Sequence, residues 1–358
     1  MKKIIFLLTI FLYTITFAES PKPPKNIIIM IGDGMGISQV SVSVLTNANS
    51  AFKKFPITGF SITCSADKLI TDSAAGGTAL ACGVPTKNGA IGVDEMGKSI
   101  PSIFELAKQK NLSTGVVVTS EVTNATPAAF LGHTSNRKNY EILAEQFSLL
   151  ETDIVIGGGK RYFIPESSGG KRKDNVDLLM KLQEKGYIIL NDFENLKKSD
   201  SRKYYALLEN EALKPATLRN YSLSDLTKKA LHALSQNENG FVLMVEGSQI
   251  DNGGHDNNQE LLLNELNDFE NAIQTVLDFA ETNKETLVLV TGDHETGGAA
   301  ITAGDINSEN IKIDFASKSH TATMVGVFAY GPQCEIFSGI NENYHLGRKL
   351  LHLIQTRY

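Results

Sequence analysis

Glu246, Asp251 and His255 lie within ten residues of one another, directly after a continuously apolar run from Phe241 to Val245. Asp293 and His294 follow a second such run, Thr286 to Val290, and Asp33 follows a third, Asn26 to Ile31. His320 stands just ahead of a fourth, Met324 to Tyr330. Carboxylates and imidazoles are metal ligands, and runs of this kind are strands buried on both faces of a parallel sheet. In open α/β sheets the functional site gathers at the carboxyl ends of the strands, where these residues fall. A solvated polar loop explains any one of these stretches equally well. Their recurrence favours a site.

Four ionised carboxylates, Asp33, Glu246, Asp251 and Asp293, repel one another strongly in a confined pocket unless cations neutralise them. The three histidines supply the borderline-soft ligands that zinc favours. A carboxylate and hydroxyl set, Asp33, Thr126 and Glu246, suits magnesium. Such a grouping implies phosphoryl transfer through a two-metal clamp. Ser73 begins a helical pattern that runs to Cys82, with Gly83 as its stop. Capping the helix is one explanation for Ser73. A helix N-terminus also binds phosphate and stabilises a developing alkoxide, and with no histidine nearby in sequence Ser73 needs a metal to activate it. Arg137 is read either as a surface residue or as a fork for phosphate oxygens.

These residues require a sheet to hold them. Strands are expected over 26–31, 114–119, 153–156, 241–245, 286–290 and 324–330, with helices over 102–110, 176–185, 224–236, 258–283 and 344–355. Asn124-Ala125-Thr126-Pro127 reads as a helix start with Thr126 as N-cap and Pro127 at the first helical position. The fold class is therefore α/β, a central mostly parallel β-sheet sandwiched between helical layers. Gly32-Asp33-Gly34-Met35-Gly36 does not have the dinucleotide-binding spacing; its glycines free Asp33 to project. Residues 167–174 form a polar, glycine-bearing loop expected to be mobile. His133 is a packed or supporting group, and His232, His345 and His352 are structural or solvated.

The chain has 358 residues, 42% hydrophobic and 21% charged, an ordinary globular balance. Lys2 and Lys3 precede an apolar run from Ile4 to Phe17, too short for a bilayer, which needs roughly 20 residues. Residues 1–18 thus read as a secretory signal peptide cut after Ala18, implying a periplasmic or secreted protein without a membrane anchor. Residues 19–25 form a Pro-rich lead-in, and residues 26–358 a single catalytic domain. Without Lys2 and Lys3, 32 basic residues face 40 acidic ones, which argues against nucleic acid as a partner. Cys64, Cys82 and Cys334 are too few for a disulfide framework; Cys82 is expected as a buried thiol, with a bridge to Cys64 left open.

Six motifs in order, IGDGMG at 31–36, TDSAAGGTA at 71–79, ATPAAF with Arg137, VEGSQIDNGGH at 245–255, TGDHE at 291–295 and SHTA at 319–322, resemble those of the alkaline phosphatases. The resemblance implies Ser73 as the phosphorylated nucleophile and Arg137 as the holder of two phosphate oxygens. It implies one zinc on Asp251, His255 and His320, a second on Asp33, Asp293 and His294, and a magnesium on Asp33, Thr126 and Glu246. Small phosphomonoesters would be the substrates. The family commonly forms homodimers; only 26 positions separate His294 from His320, a short interval for the family, and a chain trimmed there is also compatible with a monomer. Asn124 and Asn252 depart from the family pattern, at positions that tune the third metal and the phosphate pocket. Rival readings are a phosphodiesterase on the same scaffold and a non-catalytic metal or phosphate binder.

Overall fold

The computed structural model describes residues 23–305 and 310–357; the expected signal peptide lies outside them. The first strands in chain order are β1 (Asn26–Gly32), β2 (Ile57–Ile62), β3 (Ser113–Glu121), β4 (Ile154–Gly158), β5 (Ile188–Leu190), β6 (Tyr204–Leu207) and β7 (Phe241–Gly247). There follow β8 (Thr286–Gly292), β9 (Glu295–Thr296), β10 (Ala299–Ala303), β11 (Lys312–Phe315), β12 (His320–Thr321), β13 (Val325–Tyr330) and β14 (Gly339–Glu342). The helices are α1 (Ile37–Thr46), α2 (Ser73–Cys82), α3 (Ile103–Gln109), α4 (Ala125–Leu131), α5 (Tyr140–Leu150), α6 (Leu178–Glu184), α7 (Phe193–Lys198), α8 (Leu223–Leu234), α9 (Ile250–His255), α10 (Gln259–Asn283) and α11 (Asn343–Gln355).

Ten strands make one sheet in the order β14-β2-β13-β8-β1-β7-β3-β4-β6-β5. Every pairing is parallel except those of β13, which runs against β8 and β2. β1 shows why the sheet needs two helical layers: Ile27, Ile29 and Ile31 pack into one core while Ile28 and Met30 pack into the other. Side chains alternate across a strand, so a strand apolar at every position must be covered on both sides. Residues of α2, α3, α4, α5 and α11 close the first core, and residues of α1, α8 and α10 close the second.

Local signals act as the sequence suggests in most places. Ser102 and Glu105 form a reciprocal capping box on α3. Asn258 caps the 25-residue α10 by accepting the Leu261 N–H at 3.1 Å. Residues 167–174 differ from expectation, because Arg172 is buried there at 2% exposure and donates to the carbonyl of Glu141 at 2.9 Å. It also pairs with Asp174. A guanidinium held below the surface fixes the loop that carries it. Cys64, Cys82 and Cys334 are free thiols, Cys82 buried.

Candidate active site

Register places the acids. Gly32 of β1 is level with Gly247 on one side and Gly292 on the other, so Asp33 and Asp293 emerge side by side at the carboxyl edge. Glu246 lies opposite Ile31, one step inside that edge. The segment after β7 forms the helical turn α9, which sets Asp251 and His255 one turn apart with His255 Nε2 3.2 Å from Asp251 Oδ2. Gly254 allows this turn to pack: a Cβ there would lie 2.7 Å from the Thr296 carbonyl oxygen. His320 arrives on β12, which pairs antiparallel with β9.

Ser73 is the first residue of α2 and 3% exposed. The cap is Asp72, whose side chain accepts the Ala75 N–H at 3.0 Å, which leaves the Ser73 hydroxyl uncommitted to the helix. Its Oγ lies 3.2 Å from His294 Nε2. Gly76 brings the helix this close, since a Cβ there would sit 3.0 Å from the Asp293 carbonyl oxygen. Asp72 also receives Arg137 Nη1 at 3.1 Å, while Arg137 Nη2 reaches Asn124 Oδ1 at 3.3 Å.

Asn124, rather than Thr126, caps α4, by accepting the Ala125 N–H at 2.6 Å. Thr126 therefore lies within the first turn, buried, its hydroxyl without a hydrogen-bond partner. His133 is a supporting residue away from the acids, held by the Gly92 carbonyl at 2.7 Å and Glu105 at 3.2 Å.

The ligand-type atoms fall into two compact groups, Asp33, Asp293 and His294, and Asp251, His294 and His320, with all atoms of each within 4.8 Å of one another. His294 belongs to both. His255 stands beside Asp251 but outside these compact groups. Its ring centroid is 5.1 Å from that of His320, which in turn stacks on His294 at 3.5 Å.

Electrostatics report an overloaded pocket. Burial, then the charges of Asp293, Asp251 and Glu246, hold the Asp33 carboxyl well above its ordinary range. Burial pushes Glu246 up to about 7 against the hydrogen bond from Ser248, and burial with the Asp251 charge pushes Asp293 up to about 6. Burial pulls His294 down to about 4. Asp251 is the exception: burial raises it, but the His255 hydrogen bond and the charge of His294 outweigh that and hold it below the usual carboxylate range. His255 rises correspondingly to about 9, first through its bond to Asp251.

Asp33 Oδ1, Asp293 Oδ2 and Thr126 Oγ1 are buried without hydrogen-bond partners. Buried oxygens left unpaired among like charges are costly, and a cation satisfies both defects together. The residues present fit divalent metals.

Two participants went unread in the sequence. Thr296 donates its hydroxyl to Asp251 Oδ1 and lies 3.2 Å from His294 Nδ1. Period-2 spacing from His294 was the available signal, because alternate residues of an extended segment share a face. Ser248 supports Glu246 with a hydrogen bond of 2.5 Å.

A profile described as alkaline phosphatase matches residues 24–311. Alkaline phosphatase 4 of Bacillus subtilis is 41% identical over 298 residues, 78% of this chain and 63% of the relative, so the chain spans under two thirds of that protein. The Escherichia coli alkaline phosphatase is 30% identical, across 91% of this chain and 85% of its own. The structure of the alkaline phosphatase from the Antarctic bacterium TAB5 superposes with a TM-score of 0.86 at 38% identity, covering 95% of this chain and all of that one. A variant of the TAB5 enzyme, also at 0.86, is described with Mg bound in its M3 site. The profile match over most of the chain, the relative at 30% identity spanning 85% of its own length and the superposition at a TM-score of 0.86 show that this chain belongs to the alkaline phosphatase family.

Proposed function

We propose that this protein hydrolyses phosphate monoesters to an alcohol and inorganic phosphate through a phosphoserine on Ser73. The observation that carries the reading is the Ser73 hydroxyl: buried, at a helix N-terminus, uncommitted to capping and 3.2 Å from His294 at the junction of two ligand groups. Asp251 and His320, with His255, would hold one zinc; Asp33, Asp293 and His294 a second; Thr126 and Glu246, with Asp33, a magnesium. The magnesium-bound TAB5 variant supports a third cation of this kind. When bound, these cations favour the Ser73 alkoxide and stabilise charge on the leaving oxygen.

The protein's own groups do the positioning. The free N–H groups of the first turn of α2 face the incoming anion. Arg137, steadied by Asp72 and Asn124, offers a planar fork to nonbridging phosphate oxygens. Ser73 Oγ forms a bond to phosphorus as the bond to the alcohol breaks, and the alcohol departs with a proton. Water then cleaves the phosphoserine, restoring the hydroxyl and releasing inorganic phosphate. Residues 1–18, read as a signal peptide, support a periplasmic or secreted location for this activity.

The test compares an aryl phosphomonoester with the matching diester, using protein stripped of metal and then restored with zinc and magnesium. A metal-dependent preference for the monoester, lost in Ser73→Ala without loss of bound metal, is the expected result. Preference for the diester overturns the substrate class, and turnover surviving Ser73→Ala overturns the nucleophile.

A further inference from the structure

Thr296 is fully buried and touches every member of one ligand group. Its hydroxyl donates to Asp251 Oδ1, its Oγ1 lies 3.2 Å from His294 Nδ1, and its backbone pairs with His320. Two further bonds fix the residue, from its N–H to the Gly34 carbonyl at 3.2 Å and from Gln39 Nε2 to its carbonyl at 3.1 Å. A hydroxyl has one proton and can donate once. With that proton directed at Asp251, the Thr296 oxygen can only accept from His294, so Nδ1 must carry the imidazole proton.

The other face of the ring opposes this choice. His294 Nε2 is 3.4 Å from Asp33 Oδ1 and 3.3 Å from Asp293 Oδ2, acceptors that would draw a proton to Nε2. A proton there would block the lone pair that a metal needs. We propose that Thr296 is a positioning residue that holds His294 as the Nδ1–H tautomer and thereby keeps Nε2 open as a ligand beside Ser73. One hydroxyl thus ties Asp251 and His294, members of different expected zinc sites, into one hydrogen-bonded unit. The inference rests on the metal-centred reading above and assigns a support that the sequence motifs do not contain.

The experiment uses the full chain labelled with 15N-histidine, freed of metal, and long-range 1H–15N correlation spectra in which His294 is identified by the signal absent from His294→Asn. Wild type and Thr296→Ser should show His294 protonated on Nδ1. Thr296→Val, isosteric but without the hydroxyl, should show it protonated on Nε2. In competition with a chromophoric chelator, Thr296→Val should bind zinc about 10 to 100-fold more weakly, with Thr296→Ser close to wild type. An Nε2–H tautomer in the wild type overturns the proposal without recourse to any variant at Thr296, so a misfolded Thr296→Val cannot hide the failure. Zinc affinity unchanged in Thr296→Val also overturns it. Absence of zinc binding in the wild type overturns the metal reading alone, and the tautomer still decides the part played by Thr296.

Discussion

Arg137 is steadied by one carboxylate and one amide, which keep its fork near Ser73 without burying it. Removing it as Arg137→Ala should lower kcat/KM for an aryl phosphomonoester by about 10² to 10³-fold, the usual cost of losing a preorganised donor to transition-state charge. Steady-state kinetics with inorganic phosphate as inhibitor check this, since product inhibition should weaken as well. His133 makes a prediction about stability rather than rate. Its pKa is raised, first by the hydrogen bond to Glu105, and Glu105 is lowered, burial being outweighed by His133 and Ser102. The histidine term is therefore complete below its ordinary value of 6.5 and fades as pH rises through the raised value, while the glutamate term is complete above 4.5 and fades as pH falls. Both groups are partly exposed, which limits the pair to under about 1 kcal/mol. Urea unfolding should show His133→Gln more destabilised near pH 5.5 than near pH 8.5; an equal deficit at both would refute the pairing. Asp33, Glu246, Asp293 and His294 were legible because each sits where an apolar run ends, whereas the roles of Thr126 and His320 came chiefly from the motifs. Thr296 was not, since nothing in its type distinguishes it from any other strand threonine.

At the scale of elements, β1, β7 and β8 were readable because burial on both faces leaves no polar position to blur the pattern. The start of α4 was misread by two residues. Pro127 invites placement at the first helical position, yet it occupies the third, after Ala125 and Thr126. No cost follows, because the first four N–H groups of a helix lack internal partners whichever residue supplies them. That shift frees Thr126 from capping and leaves its hydroxyl for the site. The loop at 167–174 was misread because Arg172 is held from two sides, by Asp174 within the loop and by the Glu141 and Tyr162 carbonyls outside it, and no local signal announces the carbonyls. Close packing of α2 yields a sharper prediction. Gly76→Ala gains up to about 1 kcal/mol of helix propensity. It also forces a methyl to within 3.0 Å of the Asp293 carbonyl oxygen, and overpacking of this sort costs about 1 to 3 kcal/mol. Strain should win, displacing Ser73 from His294: turnover should fall at least about tenfold, while Ser73→Ala, which strains nothing, leaves the melting temperature unchanged. Thermal melts and initial rates on the two variants distinguish these effects.

For the whole molecule, the site is a junction of segments from nearly the entire chain, so metal binds the folded state and has no comparable site in the unfolded one. Each cation present at a thousandfold excess over its Kd adds about 4 kcal/mol of stability. Chelation should accordingly lower the melting temperature by roughly 10 °C or more, and calorimetry with and without chelator measures it. An unchanged transition would contradict the neutralising role assigned to the cations. The partition of ligands between two centres was set by resemblance, because loop order cannot reveal that His294 lies within reach of both groups. The place of β1 in the sheet has another implication, for the order in which the protein is made. Among the described residues it is the first strand to be synthesised, yet the strands it pairs with are β7 and β8, formed by residues 241–247 and 286–292. At common translation rates the gap is on the order of ten seconds or more. Throughout it, this apolar segment exists as an unpaired ribbon with both edges bare. Topology alone thus makes residues 26–32 the natural foothold for a holding chaperone, which must let go only once residues 286–292 have appeared.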